Sequence, residues 1–241
     1  IYENNSIIGK ANKKLLPYCK KILIGTKIPE NFPINYKSKV YKVGVILRKE
    51  IINYSYVKKN NNSKILSILV LGGSQGAEVF GKIVSRTIIM LKDCGYEIEI
   101  NQQCVKNQKK ELVDFYNKNN IKNNIFTFSN NILKLISLTD FAISRCGAST
   151  TAELAHTLTP FIAVPFPNSV DNHQFHNAKY YEEKGYCWVL EQYKFNSTNL
   201  FNLINEVISD KKKLENIRQN MKKNDSKNVY RKIENAIKEF I

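Results

Sequence analysis

Short apolar runs alternate with longer amphipathic stretches from residue 65 onward. The runs are rich in Ile, Val, Leu and Phe and are four to seven residues long, which is typical of buried strands. Helix-length segments separate them, and this alternation indicates a parallel sheet covered by helices on both faces. We therefore predict an α/β, Rossmann-like domain with six strands: Ile65 to Leu71, Tyr96 to Ile100, Ile125 to Phe128, Phe141 to Ser144, Phe161 to Val164 and Cys187 to Leu190.

The N-terminal part and the C-terminal end have different patterns. An amphipathic segment from Ser6 to Leu16 and a short apolar strand from Ile22 to Ile24 resemble the end of another domain. The stretch from Tyr54 to Lys64 is polar and rich in Asn, as an interdomain linker is. The last forty or so residues predict two or three helices. The predicted division is a domain remnant (1–53), a linker (54–64), the Rossmann-like domain (65–225) and a C-terminal helix (226–241).

Composition narrows the possible partners. The formal net charge is +16, but the lysines are interspersed with Asn and Ile and do not form a cluster. No nucleic-acid-reading motif accompanies this charge, so we expect contact with an anionic membrane surface and not with nucleic acid. Five cysteines without a Cys-x-x-Cys pair favour a reducing compartment over a zinc site. The longest apolar runs are far below the roughly 20 residues that span a bilayer.

The first motif is a glycine-rich turn in LVLGGSQGAEVFGKIV, from Leu69 to Val84. A strand runs into Gly72-Gly73, and Gly76 is predicted to open a helix. Backbone N–H groups at the positive end of a helix dipole bind phosphate well. Ser74 can cap this helix and can also donate a hydrogen bond to a phosphate oxygen. The turn therefore predicts a diphosphate site, although a serine N-cap after a tight turn is also a common structural feature.

The second motif runs from Ser144 to Ala178, SRCGASTTAELAHTLTPFIAVPFPNSVDNHQFHNA. Small residues after a strand let a ligand approach the backbone, and Thr150 to Glu153 have the spacing of a capping box. Prolines then hold an extended loop that carries Gln174, whose amide can both donate to and accept from sugar hydroxyls. A metal cluster of His173, His176 and Asp171 is a weaker alternative, because no third His or Cys accompanies them. The unit predicts a nucleotide-sugar site.

Both motifs, together with GYCWVLEQ from Gly185 to Gln192, resemble the bacterial peptidoglycan GlcNAc transferases, which convert lipid I to lipid II. The opening IYENNSIIGKANKKL is similar to the family's His-Glu-Gln-Asn segment, with Tyr2 and Asn4 in place of His and Gln. The similarity covers nearly the whole chain. It implies a GT-B glycosyltransferase, in which two Rossmann-like domains face each other across a cleft. The chain would be the C-terminal donor-binding portion, with a remnant of the acceptor domain before it.

The resemblance also implies which residues bind UDP-GlcNAc. Glu153 would accept hydrogen bonds from the ribose hydroxyls, and Gln174 would contact the GlcNAc sugar. Arg48, where the family has a Gly-Asn-Pro-Val-Arg run, would bind the diphosphate together with Ser74. The remaining positions are Ala148 and Thr150 along the nucleotide, Ser129 with Phe128 beside the uracil, and Asn5 reaching the cleft from the first domain.

The function implied by the resemblance is inverting transfer of GlcNAc from UDP-GlcNAc to the muramyl 4-hydroxyl of lipid I. We expect no cofactor and no metal, and we expect the general base to come from the missing part of the first domain. The expected location is the cytoplasmic face of the bacterial inner membrane, as a peripheral protein, with an acceptor-domain polypeptide as a possible partner. Two alternatives stay open: a diacylglycerol glycosyltransferase, and a non-catalytic or partner-dependent UDP-sugar-binding module from a split or degraded enzyme.

Overall fold

Two parallel sheets organise the chain. The computed structural model describes residues 1–29, 32–56, 65–73, 78–224 and 228–238. A three-stranded sheet is formed by the N-terminal residues, and a six-stranded sheet is formed by the rest. The predicted fold class, a Rossmann-like parallel α/β sheet, is confirmed by the larger sheet. The predicted linker, residues 54–64, lies mostly outside the described residues.

The smaller sheet has the strand order β1-β2-β3. Its strands are β1 Tyr2–Glu3, β2 Ile22–Ile24 and β3 Val40–Lys42. The strand predicted at 22–24 is therefore confirmed. Helix α1, Lys10–Leu15, is shorter than the amphipathic segment that predicted it, since the chain is still extended at Gly9 and Pro17 disfavours continuation. A 3₁₀ helix, Ile34–Lys39, and helix α2, Lys49–Ile52, complete this N-terminal unit.

The larger sheet has the order β6-β5-β4-β7-β8-β9, and every neighbouring pair is parallel. Its strands are β4 Ile65–Leu71, β5 Glu97–Gln103, β6 Lys122–Phe126, β7 Phe141–Ser144, β8 Phe161–Ala163 and β9 Cys187–Val189.

The strand predictions are confirmed, with shifted ends in four cases. Strands β8 and β9 each end one residue earlier than predicted, and β5 and β6 are shifted further. Strand β5 runs on to Gln103, and β6 begins at Lys122, where polar residues concealed the strand pattern. Asn124 on β6 pairs with Asn101 on β5, and its side-chain amide donates to the Asn101 side-chain oxygen at 3.0 Å. Polar side chains that bond across two strands satisfy each other, so a strand can continue without apolar alternation.

Helices cover both faces of the larger sheet. They are α3 Glu78–Asp93, α4 Lys109–Lys118, α5 Ile132–Ser137, α6 Ala148–His156, α7 His173–Glu183, α8 Ser197–Ser209 and α9 Lys211–Lys222. One core lies under α3, α4 and α8, and the other lies under α5, α6, α7 and α9. Both cores bury apolar side chains that alternate along the central strands, such as Val70 on the first face and Leu69 on the second.

The two sheets are joined by packing at both ends of the chain. The segment that follows β3 packs into the second core of the larger sheet through Val45, Leu47 and Ile51. Helix α10, Val229–Ile237, returns in the opposite direction and buries Ala236 against Leu23 and Val43 of the N-terminal unit. Among the described residues, no helix combines the length and apolar composition required to cross a lipid bilayer.

Candidate functional site

The strand order of the larger sheet reverses between β4 and β7. From β4 the chain moves outward through β5 to β6, then returns to β7 on the other side of β4. In open parallel sheets, ligands bind in the crevice at the carboxyl ends of the strands where this reversal occurs. Leu71 and Ser144 pair at those ends, and the N–H of Arg145 donates to the Leu71 carbonyl at 3.0 Å. The two small-residue turns, Gly72-Gly73 and Cys146-Gly147, therefore follow neighbouring strand ends.

Helix α6 begins directly after the second turn. Gly147 is its N-cap residue, and it makes no side-chain cap bond. The predicted capping box is therefore wrong: Thr150 lies inside the first turn, and Glu153 lies further along the helix. A Cβ atom at Gly147 would meet no described residue within 4 Å, so the described part of the chain leaves the space beside this turn open. The first N–H groups of a helix have no intrahelical acceptor and carry the positive end of its dipole, which suits an anion.

Gln174, in the first turn of α7, links this turn to the proline loop. Its side-chain oxygen accepts hydrogen bonds from the Cys146 N–H at 3.1 Å and from the Phe166 N–H at 3.0 Å. The Ser169 hydroxyl accepts from the Gln174 N–H at 3.3 Å and fixes the start of the helix. With the side-chain oxygen occupied by two backbone donors, the amide NH₂ is the part of Gln174 that remains for a ligand.

Glu153 and Arg48 form an ion pair between α6 and the N-terminal unit. Arg48 Nε and one terminal nitrogen lie 3.2 and 3.1 Å from the same Glu153 oxygen, Oε1. The Glu153 side chain is 14% exposed, whereas that of Arg48 is 49% exposed. Burial raises the pKa of the Glu153 carboxyl, and the Arg48 charge opposes this shift. The structure thus brings together Glu153, predicted for the ribose, and Arg48, one of the two residues predicted for the diphosphate.

Asn177 is a site residue that the sequence did not reveal. It is 1% exposed on α7. Its side-chain oxygen accepts from the Ser6 N–H at 2.8 Å, and its NH₂ donates to the Asn5 side chain and to the Cys146 carbonyl, both at 3.1 Å. Asn5 is therefore linked to the Cys146-Gly147 turn indirectly, because Asn177 bonds both to Asn5 and to the Cys146 carbonyl. Only the sequence NHQFHNA, with an amide one helical turn after Gln174, carried a signal for this role.

Arg145 is a second residue that was missed. It is 7% exposed, and one guanidinium nitrogen donates to the Val164 and Pro165 carbonyls at 3.2 and 3.3 Å. The other donates to the Gln192 side-chain oxygen at 2.7 Å. Burial lowers the pKa of Arg145. These bonds fix the start of the turn against the proline loop.

The other predicted positions differ in how they are placed. Ala148 and Thr150 lie in the first turn of α6, beside the crevice. Ser129 follows the edge strand β6, where its hydroxyl accepts from the Asn131 N–H at 3.2 Å, and Phe128 beside it is 76% exposed. Ser74 lies outside the described residues.

Two of the three histidines contact backbone carbonyls. His173 Nδ1 lies 2.8 Å from the Val170 oxygen, and His156 Nε2 lies 3.3 Å from the Ile52 oxygen. A carbonyl accepts hydrogen bonds, so each of these nitrogens is the donor. The contact of His156 holds α2 against α6. Within the part of the chain that the structure describes, no three His, Cys, Asp or Glu side chains are grouped as metal ligands.

Comparison with protein families gives a match over most of the larger sheet and α10. Residues 67–236 match the glycosyltransferase family 28 C-terminal domain. Two relatives are named UDP-N-acetylglucosamine--N-acetylmuramyl-(pentapeptide) pyrophosphoryl-undecaprenol N-acetylglucosamine transferase. The one from Pelagibacter ubique is 34% identical over 97% of this chain and 65% of its own length. The one from Rickettsia bellii is 35% identical over the whole chain and 68% of its own length. The chain thus spans about two thirds of each relative.

Solved structures show the same fold. MurG of Acinetobacter baumannii is 23% identical, with a TM-score of 0.81 over 99% of this chain and 67% of its own. Os79 from O. sativa, in complex with UDP, is 16% identical, with a TM-score of 0.65 over 93% of this chain and 57% of its own. The implied C-terminal, Rossmann-like GT-B fold is confirmed. The chain belongs to glycosyltransferase family 28 and carries the C-terminal domain of that family.

Proposed function

We propose that the chain binds UDP-GlcNAc as the donor part of an inverting transferase, which moves GlcNAc to the muramyl 4-hydroxyl of lipid I and forms lipid II. The observation that carries the proposal is the pairing of Leu71 with Ser144, which sets two glycine turns side by side at the strand reversal. The relatives' names supply the donor, the acceptor and the reaction. The crevice supplies groups suited to each part of the donor.

The diphosphate is assigned to the start of α6. The uncapped N–H groups after Gly147 favour negative charge, and the open space in front of Gly147 admits it. Arg48 adds a planar donor fork beside this helix. Ser74, in the first glycine turn, is the remaining diphosphate donor in the proposal. Together these groups stabilise the charge that develops on UDP as it departs, without a bound metal.

The ribose is assigned to Glu153. Both Arg48 contacts end on Oε1, so Oε2 is left to accept from ribose hydroxyls. Gln174 is assigned to the sugar, with its NH₂ group donating to a hydroxyl or carbonyl of GlcNAc while its oxygen holds the turn. Phe128 and Ser129 are assigned to the uracil, at the end of β6. Asn5 acts through Asn177 on the turn and not on the donor itself.

The proposal assigns donor binding to this chain and places the general base in the additional length of the relatives. The acceptor is lipid-linked in their names, so the enzyme would work at a membrane. We place it as a peripheral protein at the cytoplasmic face of the bacterial inner membrane. There, a net charge of +16 favours contact with anionic lipids.

Transfer of radiolabelled GlcNAc onto a lipid I analogue tests the proposal. We expect the chain to bind UDP-GlcNAc and to give lipid II only when an acceptor-domain polypeptide from one of the relatives is added. Glu153→Ala should remove this transfer, and Glu50→Ala, which alters the other carboxylate near Arg48, should preserve it. Binding of UDP-GlcNAc without transfer under both conditions would favour a non-catalytic UDP-sugar-binding module. Transfer by the chain alone would show that the base lies within it.

A further inference from the structure

A separate cavity lies where the N-terminal unit, α7 and the last two helices meet. Its volume is about 290 Å³. Small residues, Gly25, Gly44 and Ala152, provide part of its wall. None of the described donor-site residues lines it. The cavity is therefore distinct from the crevice at the ends of β4 and β7.

Its lining is basic. Lys42, Lys184, Lys223 and Lys232 line the cavity, and no carboxylate among the described residues does. The neighbouring carboxylates of α7 are already occupied, because Glu182 lies 2.6 Å from Lys179 and Glu183 lies 2.6 Å from Lys27. Across the ranges that the structure describes, none of Lys42, Lys184 and Lys223 has a carboxylate within ion-pair distance. The charges of these three lysines therefore accumulate here with no paired carboxylate in the described part of the chain.

Lys184 is the most constrained of these lysines. Its ammonium lies 4.5 Å from the centre of the Tyr180 ring and 5.4 Å from that of the Tyr186 ring. Burial lowers its pKa, because partial removal from water disfavours the charged form. Aromatic faces attract a cation but do not neutralise it. An anion that enters the cavity would complete the environment of this ammonium group.

We propose that this cavity binds a phosphate-bearing anion. Its volume lies just below the range of about 300–1,000 Å³ that holds drug-sized ligands, so a phosphate or diphosphate group fits better than a whole nucleotide sugar. Lysine ammonium groups bind phosphate oxygens as point charges, and the side chains of Tyr180 and Asn224 offer polar atoms beside them. The group is carried either by a free phosphate compound or by an anionic lipid headgroup.

The bound anion would connect four elements of the fold. Lys42 ends β3, Lys184 follows the C-terminal end of α7, and Lys223 follows α9. Lys232 adds a contribution from α10. A ligand that binds only the folded arrangement stabilises it, by an amount that grows with the logarithm of its concentration above the Kd. Phosphate binding here would therefore strengthen the junction between the N-terminal unit and the larger sheet.

Calorimetric titration with inorganic pyrophosphate, in the presence of saturating UDP, tests this site. The variant Lys184→Gln with Lys223→Gln should bind pyrophosphate at least about tenfold more weakly than the natural chain, since two charge-assisted contacts are lost. The matched control, Lys110→Gln with Lys118→Gln, removes the same charge from exposed positions on α4, one of them also at a helix C-terminal end. It should leave binding unchanged. Equal weakening by both pairs, or none by the first, would overturn the proposal.

Two further measurements keep the test decisive. Lys42→Gln alters an exposed lysine of the cavity and should weaken pyrophosphate binding even if the Lys184 variant folds poorly. UDP affinity should be the same in all the variants, so absence of UDP binding would count against the proposed donor site and not against this cavity.

Vesicle flotation identifies the source of the phosphate group. Phosphatidylcholine vesicles with added phosphatidylglycerol should retain the chain, and Lys184→Gln with Lys223→Gln should weaken this retention more than the α4 control, if the source is a lipid headgroup. Pyrophosphate binding with equal retention of both variants supports a free phosphate compound. If the first variant pair affects neither pyrophosphate nor vesicle binding, the site does not exist.

Discussion

The larger sheet and the N-terminal unit contribute to the crevice in different ways. The larger sheet has an extensive apolar core on each face, and it carries the glycine turns, Glu153 and Gln174. The N-terminal unit has a small core around Ile22 and Ile24, and it reaches the crevice through polar side chains, chiefly Arg48 and Asn5. In the proposed site, the well-packed larger sheet therefore sets the donor geometry. The N-terminal unit, which apolar packing also joins to that sheet, adds hydrogen bonds and an ion pair at the crevice.

The largest effect should come from Asn177, which joins the two regions. Asn177→Ala would leave the buried Ser6 N–H and the Cys146 carbonyl without this partner. Each such group costs about 1–3 kcal/mol, so the free energy of unfolding should fall by about 2–6 kcal/mol. Hydrogen exchange should show loss of protection in the N-terminal unit before the central strands of the larger sheet.

Asn202→Ala provides the control, because Asn202 is an exposed amide on α8. It should change the free energy of unfolding by less than about 0.5 kcal/mol. If the N-terminal unit and the larger sheet of Asn177→Ala lost protection simultaneously, they would unfold as one unit. The proposed difference in stability between them would then be wrong.

Two substitutions at Gln174 distinguish its support of the Cys146-Gly147 turn from its proposed recognition of the sugar. Gln174→Ala removes the acceptor of two backbone N–H groups and should lower the unfolding free energy by about 2–4 kcal/mol. Gln174→Glu keeps an acceptor and should retain most of the stability. It lacks the NH₂ group, so the ratio of UDP-GlcNAc to UDP affinity should fall by about tenfold. An unchanged ratio in calorimetry would remove Gln174 from the sugar site.

Glu153 should affect binding far more than folding. Burial raises its pKa, which means that folding disfavours the carboxylate, and the partner Arg48 is half exposed. Glu153→Ala should therefore change the unfolding free energy by less than about 1 kcal/mol. UDP affinity should fall about tenfold or more, because charge-assisted bonds to ribose are lost. Glu50→Ala, the control, should keep that affinity. A lower Tm with unchanged affinity would make Glu153 a structural residue.

The smallest expected effect is the pH dependence of UDP affinity, which follows from the Glu153 carboxyl group. Ribose hydroxyls bond best to the ionised carboxylate, so UDP binding favours the deprotonated form of Glu153. Because the pKa is raised in the free protein, affinity should decrease as the pH falls, starting above the ordinary range of a glutamate. Glu153→Gln should lack this step. If UDP affinity had the same pH profile in the natural chain and in Glu153→Gln, ionisation of the Glu153 carboxyl would not affect UDP binding.

The sequence predicted the strands of the larger sheet better than the helix start and the long-range hydrogen bonds at the crevice. Strands β4 and β7 match the prediction residue for residue, because apolar runs bounded by glycine or polar residues are local signals. Helix α6 begins at Ala148 and not after Thr150, since the open Gly147 turn, and not a side-chain cap, sets its start. The bond from Ser6 to Asn177 joins residues 171 positions apart, and no local pattern encodes it.

Calorimetric titration of the chain with UDP-GlcNAc, with chelator and then with added Mn²⁺ or Mg²⁺, is the decisive test of metal-independent donor binding in this crevice. The proposed crevice holds the diphosphate with N–H groups of α6, Ser74 and Arg48, and the sequence has no Asp-x-Asp motif to hold a metal. We predict the same affinity with chelator and with metal, and a loss of about tenfold or more in Glu153→Ala. Binding that requires the metal, or that Glu153→Ala leaves intact, would contradict the assignment of the donor to this crevice.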